Sequence, residues 1–65
     1  MTGKDYKRIR FRMNITQKDA ADMIGISRFA LSGYESGRVG IPITVSMKLN
    51  RLYRLSDSDI NGKFD

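Results

Sequence analysis

Apolar residues along the chain recur at intervals of three and four rather than two, a spacing that predicts helices. Tyr6, Ile9 and Met13 form the first stripe and predict helix 1 over about Gly3–Met13, with Arg10 in the same stripe and Asn14 as a left-handed C-cap. Helix 2 is expected over about Thr16–Ile24. Thr16 is its N-cap, Asp19 follows three residues later as in a capping box, and Ile15 and Ala20 occupy the two positions of a hydrophobic staple. Ala20, Ala21 and Ile24 make its inner face, and Gly25 supplies the positive φ of a sharp turn. Helix 3 runs from about Ser27 to Ser36, with Gly37 as its stop. Leu31 and Tyr34 lie on one side of it. Arg28, Phe29, Ser32 and Gly33 fall within an arc of about 140° on the other, at about 100° per residue.

Beyond a loop over 37–42, helix 4 is expected over about Thr44–Leu55 with Thr44 as N-cap. Val45, Leu49, Leu52 and Tyr53 face inward, Lys48, Arg51 and Arg54 face water, and Met47 is exposed. Ser56 caps a last short helix around Asp57–Ile60, and Phe64 in the tail is either a lid on the core or part of a subunit contact. The expected fold is all-α, a compact bundle of four to five short helices forming one domain over residues 1–65.

Composition removes several kinds of chemistry. Cysteine and histidine are both missing, which excludes disulfides and thiolate metal sites and takes away the commonest general base. The close carboxylates Asp19/Asp22 and Asp57/Asp59 are explained by helix N-terminal charge and solvent exposure, and the chain has no glycine-rich phosphate loop. No enzyme, cofactor or small-molecule ligand is expected. No apolar run reaches the ~20 residues of a membrane span, and Lys4 to Arg12 is too charged for a signal-peptide core, so a cytoplasmic protein is expected. The net charge is +5, and residues 1–18, with six basic groups and one acid, hold the whole excess. That asymmetry favours a polyanionic partner.

The most informative stretch is Thr16–Gly37. Two short helices joined by a tight glycine turn make a helix-turn-helix, with core residues 16–36. Ala21 is small enough for helix 3 to cross closely over helix 2, and Ile24, Ile26, Leu31 and Tyr34 fill the wedge between them. The motif Thr-Gln-x-x-Ala-Ala-x-x-Ile-Gly-Ile-Ser, followed by Tyr-Glu-Ser-Gly, resembles the lambda-type phage repressor and Cro family, also called the XRE-type helix-turn-helix family. The likeness is strong over Tyr6–Gly37 and looser through helix 4.

The resemblance implies a lambda-repressor-like fold and a sequence-specific DNA-binding regulator. It implies a small Cro-like repressor that meets a near-palindromic double-stranded operator as a homodimer, with no room for a sensing domain. By the same likeness, Arg28 reads a guanine, Phe29 packs on a thymine methyl or folds back as core, and Ser32 reaches a base or phosphate. Gly33 stands where a larger reading side chain is often found, so that contact is lost or replaced by close backbone approach. Thr16, Gln17 and Lys18 at the start of helix 2, with Arg38 and Thr44, are assigned to phosphates. Arg10 and Glu35 are expected to form a structural ion pair. Asn50, Arg54 and Phe64 are expected at the dimer surface. The competing expectation is a helix-turn-helix that acts through protein contact, as an adaptor or antitoxin-like module, which Phe29 and Met47 would serve.

Overall fold

Capping side chains start the first three helices of this chain, and left-handed residues follow the ends of the first four. The computed structural model describes residues 1–61. It contains α1 (Gly3–Arg12), α2 (Gln17–Ile24), α3 (Arg28–Ser36), α4 (Ile43–Leu52) and α5 (Asp57–Asn61), with no strand among the described residues. Thr2 and Asp5 cap α1 reciprocally, the Asp5 amide donating to Thr2 Oγ1 and the Thr2 amide to the Asp5 carboxylate. The bond from the Thr2 amide holds the Asp5 carboxyl below its ordinary pKa. Thr16 caps α2 and Ser27 caps α3 without the return bond, each hydroxyl accepting from the amide three residues later.

Positive φ angles fall at Asn14, Gly25, Gly37 and Arg54. At Asn14, Gly25 and Arg54 the paired return bonds of a Schellman stop are formed: Ile15 N–H to Arg10 O, Ile26 N–H to Ala21 O, and Leu55 N–H to Asn50 O. The sequence marks the first two stops. Arg54 carries no such mark, because a long basic side chain is an unusual occupant of left-handed backbone.

Helix 4 differs from expectation at both ends. Its N-cap is Pro42, with φ −61° and ψ 147°, and no side chain caps the helix. Proline arrives with φ already fixed and needs no partner for an amide hydrogen, so the helix starts directly after it and Thr44 lies within its first turn. The helix stops at Leu52 rather than Leu55, because Arg54 turns left-handed.

Tyr6, Ile9, Ala20, Ala21, Ile24, Leu31, Val45, Leu49 and Tyr53 form the core. Helix α1 packs on α3, and α2 packs on both α3 and α4. Met13, expected on the inner stripe of α1, falls at its C-cap and is 43% exposed. Asn50, expected at a subunit surface, also has a structural bond within the chain. Its Oδ1 accepts a 2.6 Å bond from the Tyr6 hydroxyl, which also pairs with Ser46 Oγ at 2.9 Å. No helix of the described residues is long and apolar enough to cross a membrane.

Two features set tolerance to substitution. Gly3 lies against the backbone of α3, where a Cβ would collide with the Tyr34 carbonyl oxygen and approach Glu35 Cα to 3.0 Å. Gly3→Ala is therefore expected to destabilise by ~1–3 kcal/mol. A melt should show this as a fall of about 4–8 °C per kcal/mol, and an unchanged midpoint would contradict the close crossing. Tyr53 is buried, and its hydroxyl has no hydrogen-bond partner among the described residues. Burial pushes its pKa from 10.0 up to about 12. The folded state thus favours the neutral phenol, and that stabilisation is whole below pH 10 and lost as pH rises through about 12. Denaturant titrations from pH 9 to 12 should show wild type losing stability more steeply than Tyr53→Phe. At pH 7 the variant should be no less stable than wild type, since an unsatisfied buried hydroxyl is removed.

Candidate nucleic-acid interface

The start of α3 is held outward by what is buried behind it. Leu31 is fully buried and Glu35 nearly so, which pins the inner side of the helix, while Arg28 and Phe29 in the first turn are exposed. Phe29 is 78% exposed, so it does not fold back into the core. The Arg28 guanidinium stands 5.8 Å from the centre of the Phe29 ring, a cation–π spacing that couples the two side chains. Ser32, one turn after Arg28, is half-buried.

Of the two expectations for Gly33, a lost contact or close backbone approach, the packing disfavours the second. Gly33 is buried, and the covering atoms belong to the loop that follows: a Cβ at this position would meet Val39 Cγ2 at 3.2 Å and Arg38 Nη2 at 3.3 Å. Close approach of a ligand to the Gly33 backbone is therefore blocked by the chain itself. Arg38 is brought alongside α3 by the same packing and remains exposed.

A buried ion pair joins the helix-turn-helix to α1. Arg10 Nε donates to Glu35 Oε2 at 2.8 Å and Nη2 to Oε1 at 2.9 Å, a two-pronged geometry, with the residues 5% and 2% exposed. The third prong, Nη1, donates to the Ile15 carbonyl at 3.0 Å, just before α2. The bonds to Glu35 raise the Arg10 pKa, so the guanidinium stays charged. The Phe11 ring covers its face at 4.8 Å.

Gln17 is drawn into this group, its Nε2 donating to Glu35 Oε1 at 3.1 Å. The sequence places Gln17 at a helix start but gives no sign of a partner eighteen residues away. Its neighbours at the head of α2 have local roles. The Thr16 hydroxyl is occupied by the Asp19 amide, and Lys18 pairs with Asp22 at 3.1 Å in an exposed i,i+4 bridge. The first-turn amides of Gln17 and Lys18 have no acceptor within the helix and point out of its end. Thr44 is exposed in the first turn of α4, and no described hydrogen bond ties it to α3.

Arg54 is exposed beyond α4, and Phe64 lies outside the described residues. The sequence reading missed two exposed apolar residues beside the helix-turn-helix, Val39 and Ile43. The adjoining proline and glycines mark only a loop.

A family model described as helix-turn-helix matches residues 7–60. No curated protein and no solved structure gives a significant match.

Because the Arg10–Glu35 pair is buried, removing one partner leaves the other charge without compensation. Arg10→Met is expected to destabilise by ~3–5 kcal/mol, whereas Arg10→Met with Glu35→Leu should recover much of that loss. Urea unfolding of the single and double variants tests this. A single variant as stable as wild type would show that the pair does not hold the helices together.

Proposed function

The chain belongs to the XRE-type helix-turn-helix family of DNA-binding regulators, and on that premise we propose that it is a small Cro-like repressor that binds a near-palindromic operator as a homodimer. Two copies of α3 would then enter successive major grooves about 34 Å apart. The observation that carries this reading is the exposed first turn of α3, where Arg28 and Phe29 project from a helix anchored by Leu31 and Glu35.

Arg28 carries a planar fork suited to guanine O6 and N7, and Phe29 offers an apolar surface to a thymine methyl. Ser32 lies at the flank of that contact. Gln17 holds the phosphate beside α2. One of its amide hydrogens is fixed on Glu35, which orients the second, and the first-turn amides add a favourable dipole. Thr16, Lys18, Arg38 and Thr44 complete the phosphate contacts. The subunits meet along α4 and α5, around Asn50 and Arg54. Binding at the operator would block polymerase.

A second reading, in which the helix-turn-helix docks on a protein, is favoured by the exposed apolar side chains Met23, Phe29, Ile43 and Met47. Selection from a random duplex pool separates the two. An enriched near-palindrome supports the repressor, and no enriched motif supports the protein-binding module.

Within the DNA reading, Arg28→Ala should relax preference at one base pair per half-site by ~1–3 kcal/mol. Gln17→Ala should weaken all sites alike. With Lys18 and Arg38 each neutralising one phosphate in both subunits, log K should fall against log salt with a slope of about −3.6, and Arg38→Gln should flatten it by about 1.8. A salt slope unaffected by Arg38→Gln would remove that residue from the phosphate contacts.

A further inference from the structure

Gly33 creates a notch in the outward face of α3, one turn beyond Phe29, and the following loop is fastened into it. The Val39 amide donates to the Gly33 carbonyl at 3.1 Å, and Ser36 Oγ donates to the same oxygen at 3.1 Å. The Arg38 amide donates to Ser36 Oγ at 3.3 Å. These bonds fix the backbone so that Val39 Cγ2 lies 3.2 Å from where a Cβ of residue 33 would be, too close for a side chain there without adjustment. Val39 nonetheless keeps 47% of its surface exposed. An apolar group is thus held against Gly33, one helical turn beyond Phe29, on the face that the helix presents outward.

We propose that Val39 is a base-reading residue supplied by the loop in place of the side chain that α3 lacks. The inference rests on the DNA reading above and deepens it. An isopropyl group has neither donor nor acceptor, so the feature it distinguishes in the major groove is a methyl group, and thymine is the base that carries one there. Val39 covers Gly33, one helical turn beyond Phe29, so the two side chains would meet different base pairs. The operator half-site therefore contains two methyl-dependent positions, one for each side chain. A cytosine methylated at C5 presents the same methyl and substitutes for thymine at the Val39 position as far as that contact is concerned.

The test begins with selection of bound duplexes by the wild-type chain. Each thymine of the selected site is then replaced in turn by uracil, which removes the methyl and leaves the hydrogen-bonding edge unchanged. Wild type should lose about fourfold in affinity at each of two positions per half-site, the factor that corresponds to ~0.8 kcal/mol for one buried methyl-sized group. Phe29→Ser should abolish the uracil penalty at one position and Val39→Ser at the other. Val39→Ile should retain both. Val39→Ser keeps the backbone amide that bonds Gly33, and a thermal melt matching wild type confirms that its fold is intact. If Val39→Ser shows every uracil penalty of wild type, or wild type shows only the one that Phe29→Ser removes, the assignment of Val39 is overturned while the DNA reading stands. If wild type selects no sequence at all, the DNA reading fails and this inference fails with it.

Discussion

The two-pronged bond between Arg10 and Glu35 ties three elements to one buried point. Arg10 comes from α1, Glu35 from the last turns of α3, and the third guanidinium prong holds the Ile15 carbonyl at the entrance to α2. A charge in this position is costly unless every hydrogen finds an acceptor, so the geometry tolerates little alternative packing. The pair therefore specifies how the helices meet as much as it stabilises them. Gln17 on Glu35 Oε1 extends the arrangement to the surface. The orientation of α3, and with it the outward presentation of Arg28 and Phe29, depends on this junction.

Local chemistry made much of the fold legible in the sequence. Thr16 and Ser27 are capping hydroxyls whose partners lie three residues away, and Asn14 and Gly25 stop their helices through bonds within the same turn. The apolar spacing identified Leu31, Leu49 and Tyr53 as core. The errors arose where a local rule met a competing one. Thr44 is a good capping residue, but Pro42 two residues earlier already fixes the backbone for helix entry. The apolar spacing continues α4 through Arg54, whereas Arg54 is the left-handed stop.

Less of the candidate site was legible, because its decisive partners are distant in sequence. Asn50 on an outer helix looks like a surface amide until Tyr6 reaches it from forty-four residues away. Gly3 reads as a helix start, yet its lack of a Cβ is what lets α1 approach the backbone of α3. Gly33 left open whether its reading contact is lost or replaced by backbone approach, and nothing local to it shows that the loop covers it. Spacing reports which face a residue occupies, not what another segment places on that face.

The filled notch at Gly33 gives the loop between Gly37 and Pro42 a geometric duty. Its length and the turn at Gly37 determine which side chain arrives at α3, so a one-residue insertion there would seat a different group without altering any residue of the helix. The outward surface of α3 is thus open to divergence by change of loop length, a route that leaves the buried junction of the three helices untouched.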